Sequence, residues 1–388
     1  MCSFTMHQDG LKNRVRAFTE GITIMVCPVL LAVAFHKVDL NMEGNAIVRG
    51  GISPMAAVTL EAGIFPFLCL CLSKTLINLS PTLSICLFGA SKLLIHLCAL
   101  LLMSLAYVIL LLISMKNFLY LFFVIPFVAL TIWLCYWSLR NNRPIDATVN
   151  ERWDGKLENS VDFSAAVTTI LFLGLEGLAL EGQRNSSQGL DRLLALSLVV
   201  SFATCVVGVF VMLVATVLPL IGYSGNRANM CNVVEMLNIA LAIAITLTVF
   251  LITGAALEEL AWLVFVPPLA SFMVWMFIIV DDDDQRAAEE EVKPASLELT
   301  KVTFTAFLAI AIPNFSNSSL NNYTHAFIVL TAAAVISGLG WRLLTHSATP
   351  PRYVAVAANV AAFCAHLCVA AAVIPLAAMA VNVLKQAV

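Results

Sequence analysis

Four ionisable residues lie inside long apolar stretches of this sequence, and they are the residues whose types could do chemistry. They are Glu61, Lys92, His96 and Glu176. A charge near the centre of a bilayer costs at least about 2.5–3.5 kcal/mol on insertion scales, so such residues are candidates for function. Carboxylate, amine and imidazole groups exchange protons, and carboxylates coordinate cations. These side chains therefore predict the handling of a small solute or ion.

Glu61 stands in the middle of the apolar segment 52–72. One interpretation is a proton-titrating or cation-coordinating carboxylate that faces a polar cavity. The alternative is a protonated or hydrogen-bonded glutamate that only ties helices together.

Lys92 and His96 are four residues apart, so they share one face of a helix. They could face Glu61 across a bundle and neutralise it. The alternative is a helix that begins near Lys92, with the lysine extended to the membrane interface.

Glu176 and Glu181 belong to the glycine-punctuated stretch GLEGLALEG. A spacing of five residues does not place two carboxylates on one helix face, so they are not a natural pair. Glu176 lies about one and a half turns before Glu181 and is the better candidate for partial burial. The glycines also permit close approach of a neighbouring helix, which makes packing the alternative role of this stretch.

The sequence predicts no metal site and no cofactor, and it favours a protein that is not an enzyme without deciding the question. Cys364 and Cys368 share a helix face, but His366 points roughly away from them, so one metal cannot bind all three. No phosphate-binding loop, zinc-protease motif, nucleophile elbow or dinucleotide-binding motif is present.

Composition indicates the environment of these residues. Hydrophobic residues make up 61% of the 388 residues and charged residues only 12%, about half the charged fraction of a soluble protein. Apolar runs near the length of about 20 residues that a membrane helix needs recur along the chain. The runs are continuous rather than alternating, which favours helices over a barrel. We expect an all-α, polytopic integral membrane protein with ten or eleven transmembrane helices and no soluble domain.

Eleven apolar segments are candidates for the crossings: 21–35, 52–72, 93–113, 118–139, 163–181, 193–221, 233–257, 260–280, 302–313, 325–344 and 353–381. Two of them are ambiguous. Segment 21–35 is a retained helix or a signal peptide cleaved after Ala34, and 302–313 is short for a crossing. Only Glu258 and Glu259 separate 257 from 260, so those two segments are predicted to be antiparallel neighbours. The Ala-rich final segment is predicted to be central and the Leu-rich 93–113 peripheral, because small residues mark protein-facing helices.

Polar gaps divide the chain into six predicted regions. They are an N-terminal tail (1–20), a first transmembrane block (21–139), a connector (140–162), a second block (163–280), an acidic linker (281–301) and a third block (302–388). Lys and Arg concentrate in the tail, the connector and the linker, which places these three regions and the N-terminus in the cytoplasm. Acceptor sequons for glycosylation fall on the opposite side, at Asn185, Asn314, Asn317 and Asn322. The sequon at Asn78 falls on the cytoplasmic side and is predicted to be silent.

The functional prediction is a transporter or channel-like protein for a small solute or ion, in a membrane that the sequence does not identify. The alternative is a membrane scaffold that binds partners through 140–162 and 281–301, and an intramembrane enzyme ranks third. The lipid bilayer is the expected partner, and no particular protein partner is indicated. A net charge of −3 gives no reason to expect nucleic acid binding.

Overall fold

The computed structural model describes residues 2–34, 46–76, 80–113, 118–140, 150–182, 192–217, 224–281, 297–311, 321–345 and 352–386. Within these ranges nearly every residue is helical and none lies in a strand. The prediction of an all-α membrane protein is therefore confirmed, and the described residues show no soluble domain. Helices follow from the long apolar runs, because in lipid a segment must satisfy its own backbone hydrogen bonds.

The described residues form eleven α-helices and two short 3-10 helices. The α-helices are α1 (Cys2–Ala34), α2 (Ala46–Leu76), α3 (Pro81–Ile113), α4 (Val124–Arg140), α5 (Asn150–Gly182), α6 (Arg192–Val217), α7 (Ser224–Leu257), α8 (Val266–Asp281), α9 (Leu297–Ala311), α10 (Asn322–Leu344) and α11 (Arg352–Gln386). The 3-10 helices, Leu119–Phe123 and Glu258–Phe265, precede α4 and α8. Each predicted crossing therefore has a helix at its position.

Seven helical runs in the described residues are long and apolar enough to cross a bilayer. They are Gly51–Ser73, Thr82–Leu111, Ser160–Gly177, Arg192–Thr216, Val233–Val274, Asn322–Leu344 and Val354–Asn382. Leu119–Leu134 and Leu299–Ala311 are shorter apolar helices. These runs show a multi-pass membrane protein, and the total of ten or eleven crossings stays a prediction.

The predicted boundaries at polar gaps are not where the helices begin. α1 runs through the expected tail, α5 begins inside the connector, and α9 begins inside the acidic linker. In each of these helices, polar residues extend the helix beyond the apolar part of its sequence. Whether 21–35 is retained or cleaved, and whether 302–313 crosses, remain predictions.

The predicted antiparallel pairing of 233–257 with 260–280 stays a prediction. Glu258 adopts a left-handed φ of 52°, which is uncommon for a residue other than glycine. A 3-10 helix, Glu258–Phe265, begins at this residue. The ring centroid of Phe250 on α7 lies 5.0 Å from that of Trp262 and 5.2 Å from that of Phe265, so the 3-10 helix bends back beside the end of α7. α8 then packs against α10 and α11.

The chain forms two compact units. The first contains residues 1–186 and 198–241, and the second contains residues 187–197 and 242–388. In the first unit, α1 packs against α2 and α5, and α3 packs against α2 and α5. Thr19 of α1 donates a hydrogen bond of 2.9 Å to the Gly63 carbonyl of α2.

A ladder of hydrogen bonds fixes the register between α2 and α3. Its three donors on α3 are seven residues apart, and so are the three acceptor carbonyls on α2. The bonds run from Ser84 Oγ to the Ser73 carbonyl (3.2 Å), from Ser91 Oγ to the Pro66 carbonyl (3.2 Å) and from Cys98 Sγ to the Thr59 carbonyl (3.5 Å). Seven residues are close to two helical turns, so each bond returns to the same face. The two helices are therefore antiparallel and held in one register.

At the other side of the first unit, α5 meets α6 and α7 in an apolar cluster. Its buried members are Leu157, Val161, Val211, Ala215 and Val234, and Ala17 of α1 packs against them. This cluster brings four helices together around the beginning of the α5 membrane segment.

In the second unit, α10 and α11 form an antiparallel pair. Trp341 packs against Ala358 and Ala361 near one end, and Thr324 Oγ1 lies 3.3 Å from Met379 Sδ near the other. The small residues permit this close contact, but they line only one face of α11.

The central position predicted for the Ala-rich final helix and the peripheral position predicted for 93–113 stay predictions. Within the second unit, only 28% of the α11 membrane segment is buried. Ile374 is 73% exposed on the outer side of α11. Alanine marks a face that packs closely, and it does not require the opposite face to be covered.

Candidate functional site

The candidate site lies on α5, the helix that contains the most buried of the seven membrane segments. In Ser160–Gly177, 83% of the residues are buried within the protein. Four polar side chains of this segment lie in that interior along one inclined row of the helix. They are Ser160, Ser164, Thr168 and Glu176, which follow intervals of four or eight residues.

Glu176 is the ionisable member of this row. Its side chain is 7% exposed, and its Oε2 atom has no hydrogen-bond partner among the residues that the structure describes. It follows Phe172 by one turn, and Phe172 is fully buried. Further along the same face, Ala165 lies against Gly21 of α1. The carboxyl group is therefore held on a helix face that the protein covers.

Thr168 lies two turns before Glu176 and is fully buried. Its Oγ1 atom has no hydrogen-bond partner in the described part of the chain. The hydroxyl lies directly against Gly208 of α6, where an added Cβ would overlap it. The absence of a side chain at Gly208 therefore makes room for this hydroxyl.

A buried amide from α7 joins the row at its first member. Asn238 Nδ2 donates a hydrogen bond of 2.8 Å to Ser160 Oγ, and both side chains are buried. The Asn238 Oδ1 atom has no partner among the described residues. Ser164 differs from its neighbours, since its hydroxyl donates to the Ser160 carbonyl at 2.8 Å.

These side chains leave three buried oxygen atoms along α5 that can still accept a hydrogen bond or a cation. They are Asn238 Oδ1, Thr168 Oγ1 and Glu176 Oε2. The eight-residue intervals correspond to a rise of about 12 Å each. A buried carboxyl group must be neutralised, by a proton or by a bound cation. The arrangement can therefore bind and release a proton or a small cation at Glu176, with polar contacts at two further depths.

The other three predicted site residues do not join Glu176, and the structure does not bring Glu61 to Lys92 or His96. Glu61 is exposed on α2, on the side that faces away from α3. His96 is also exposed, and Lys92 is half-buried with its Nζ atom 5.0 Å from the centre of the Phe88 ring. Within the described residues, Glu61 makes no contact that would neutralise it with Lys92 or His96. The reason is geometric, because the ladder residues Thr59 and Pro66 occupy the face of α2 that meets α3.

Of the predicted glycosylation sites, only Asn322 lies in the described residues. It is exposed and is the first residue of α10, whereas the hydroxyl of its sequon, on Thr324, is buried. The sites at Asn185, Asn314 and Asn317 lie outside the described residues, as does Asn78.

Cys364, His366 and Cys368 do not form a ligand set. His366 is exposed and directs its Nδ1 atom to the Ala362 carbonyl at 2.7 Å, whereas Cys368 is buried. Over the described ranges, no three His, Cys, Asp or Glu side chains are grouped so that they could hold a metal ion.

Sequence reasoning missed Thr168, Asn238 and Arg14. Arg14 was placed in a polar tail, but it lies in α1 and is fully buried. The signal for Thr168 was its four-residue spacing from Ser164 in an apolar run. No signal identified Asn238, because its role depends on the contact between α7 and α5.

Comparisons with protein-family models, curated proteins and solved structures gave no match to this chain. The structure itself shows a multi-pass helical membrane protein.

Proposed function

We propose that this protein moves a small cation or protons across the membrane, as a transporter or channel-like protein, with Glu176 as the group that exchanges the ion. The observation that carries the proposal is the burial of this carboxyl group with an oxygen atom that lacks a partner in the described residues. Ionisable side chains that face a bundle interior in membrane proteins mark ion pathways and proton relays.

The polar atoms that precede Glu176 along α5 support an ion rather than a large solute. Thr168 and Asn238 offer single oxygen atoms, and the side chains around them are apolar or small. Hydroxyl, amide and carboxylate oxygens are ligands for hard cations and hydrogen-bond partners for water. In this proposal Thr168 and Asn238 hold water or the ion, and Glu176 supplies the negative charge.

The test is a flux measurement on the full chain in liposomes. A pH-sensitive dye or a sodium-sensitive dye inside the vesicles reports the initial rate after a gradient is imposed. We expect Glu176→Gln to lower the proton or sodium rate about a hundredfold, the lower end of what a positioned proton-transfer group contributes. The amide has nearly the same shape as the carboxyl group but exchanges no proton and carries no charge.

Glu61→Gln is the matched control, because it makes the same chemical change on an exposed face of α2. It is expected to leave the rate unchanged. Equal rates for the Glu176→Gln variant and the original chain, at equal amounts of folded protein, would exclude the role of Glu176. If the original chain gives no more flux than empty vesicles for both ions, ion transport itself is excluded.

The scaffold hypothesis makes the opposite prediction for the same variants. It places function in residues 140–162 and 281–301, so Glu176→Gln would be silent and deletion within 283–295 would abolish partner binding. α5 begins at Asn150, so the second half of the connector is part of the helix that carries Glu176. A deletion in the connector would therefore disturb both ion transport at Glu176 and partner binding. A deletion in the acidic linker distinguishes the two hypotheses.

A further inference from the structure

The outer face of α2 is apolar except for Glu61. Its exposed residues follow alternating intervals of three and four, and they are Val58, Glu61, Phe65, Leu68 and Leu72. The four apolar members are each 45–51% exposed. In the described residues, Glu61 makes no hydrogen bond or ion pair. A carboxyl group near the middle of a membrane segment is costly against lipid, so this face requires a polar partner.

The outer face of α3 has a similar exposed row with one polar side chain. Its members are Ile85, Gly89, Leu93, His96 and Leu100. Ile85 and Leu93 are 72% and 71% exposed. A Cβ atom added at Gly89 would meet nothing within 4 Å, so this position is an open notch in the row.

The hydrogen-bond ladder places the two rows in matching register. Cys98 donates a hydrogen bond to the Thr59 carbonyl. Glu61 lies two residues after Thr59, and His96 lies two residues before Cys98, so the two are level in this antiparallel pair. By the same reasoning about Ser91 and Pro66, Leu68 and Gly89 lie at one height. Glu61 and His96 therefore lie at one depth in the membrane. Leu68 and Gly89 lie together at a second depth.

The His96 side chain can accept a hydrogen bond at its Nε2 atom. Its Nδ1 atom lies 2.7 Å from the Lys92 carbonyl, which can only accept a hydrogen bond. Nδ1 therefore carries the hydrogen, and the Nε2 lone pair is available on an exposed side chain. A protonated carboxyl group can donate to this atom, and the resulting pair shares one proton and has no net charge.

We propose that copies of this protein associate side by side in the membrane, with the α2 outer face of one copy on the α3 outer face of another. Glu61 of one copy donates to Nε2 of His96 in the other, and Leu68 fills the notch at Gly89. A second copy fits because all copies share one orientation in the membrane, so the matching depths are preserved. Small residues opposite large ones, together with an interhelical hydrogen bond, are the usual basis of helix association in lipid.

The test uses two differently tagged copies of the full chain, reconstituted together, with energy transfer between the tags as the measure of association. Glu61→Gln in both copies, or His96→Gln in both copies, is expected to lower the association constant about three- to twentyfold, the range for one interhelical hydrogen bond in a membrane. Mixing Glu61→Gln copies with His96→Gln copies should restore association. One intact Glu61 then meets one intact His96.

His366→Gln is the matched control for histidine, because His366 is also exposed and also bonds the carbonyl four residues earlier through Nδ1. A second pair of variants tests the notch. Gly89→Leu fits the isolated chain, because an added side chain there meets open space, but it fills the notch. Gly254→Leu is its control at another open glycine. We expect association to be lost only at Gly89.

Three results would overturn the proposal. They are unchanged association of the His96→Gln variant, failure of the mixed variants to associate better than either alone, and a photo-crosslinker at Leu68 that captures a different protein in cells. None of these readouts depends on ion flux, so the proposed function and this association can fail separately.

Discussion

At the scale of single residues, two glutamates of similar sequence context have opposite environments. Glu61 and Glu176 both lie in apolar helices, but Glu61 is exposed and Glu176 is 7% exposed. Each carboxyl group has to be neutralised in the membrane. The chain itself surrounds Glu176, which suits an ion-exchanging group, whereas Glu61 has no neutralising contact among the described residues, which suits a partner in another copy. The same residue type therefore leads to two different functional hypotheses.

Gly208 gives a residue-scale prediction about the site. Gly208→Ala adds a methyl group that overlaps the Thr168 hydroxyl and lies 3.2 Å from the Thr168 Cβ. We expect a loss of about 1–3 kcal/mol in the free energy of unfolding, because the two helices must separate. The measurement is reversible unfolding in mixed micelles.

Gly254→Ala is the control for this substitution, because an added Cβ there meets open space. It should be neutral or stabilising, since alanine favours helix over glycine by about 1 kcal/mol. Combining Gly208→Ala with Thr168→Ala should recover part of the loss. If Gly208→Ala proves as stable as the original chain, α6 does not approach Thr168 as described.

At the scale of elements, α2 and α3 show how a register is specified between two apolar helices. Leucine and isoleucine contacts alone permit several alignments, since lipid tails are as apolar as these side chains. Hydroxyl and thiol donors at Ser84, Ser91 and Cys98 satisfy their hydrogen bonds together in a single alignment. This register determines that Glu61 and His96 lie at one depth.

Ser91 tests the ladder. Ser91→Ala removes its middle bond, a buried hydrogen bond of 3.2 Å to the Pro66 carbonyl. Bonds of this kind in membrane proteins contribute about 0.6 kcal/mol on average and up to about 1.7 kcal/mol. We expect the free energy of unfolding to fall by an amount in this range, as measured by steric trapping of the unfolded chain in bicelles.

Ser104→Ala is the control on the same helix, because the Ser104 hydroxyl donates to the Leu100 carbonyl within α3. This substitution should leave the free energy of separating α2 from α3 nearly unchanged. Equal effects of the two alanine substitutions would argue that the ladder does not stabilise the pair.

At the scale of the whole molecule, the membrane segments differ widely in how much the chain covers them. Burial ranges from 83% for Ser160–Gly177 to 28% for Val354–Asn382. Segments of the first kind suit a site within the chain, and those of the second kind face lipid or another protein. Orientation is a separate property that follows from the distribution of basic residues and remains a prediction.

Glycosylation in cells with the modifying machinery tests the orientation. With the N-terminus in the cytoplasm, glycosidase should lower the mass of the protein, and Asn314→Gln with Asn317→Gln should reduce this shift. Asn322 should contribute less, because the Thr324 hydroxyl of its sequon is buried against α11. Modification at Asn78 would place the N-terminus on the opposite side.

Composition and apolar run length are enough to predict the membrane environment and the positions of the described helices. Charge scarcity and apolar runs near 20 residues long require membrane helices, because every backbone polar group in lipid must bond within its own segment. The positions of all eleven helices follow from this local rule. The position of Glu176 before Glu181 near the end of its apolar run also made it a candidate for partial burial.

The faces of the helices that meet follow from tertiary packing. Alanine content predicts a packed α11, but only its small-residue face is covered, whereas 83% of Ser160–Gly177 in α5 is buried. One interpretation of the sequence places Glu61 in an internal cavity, whereas the ladder between α2 and α3 leaves its face exposed. Asn238 meets Ser160 across 78 positions of sequence. Such contacts depend on packing between helices that are all apolar, and the energy of that packing is shared among many side chains rather than specified by one motif.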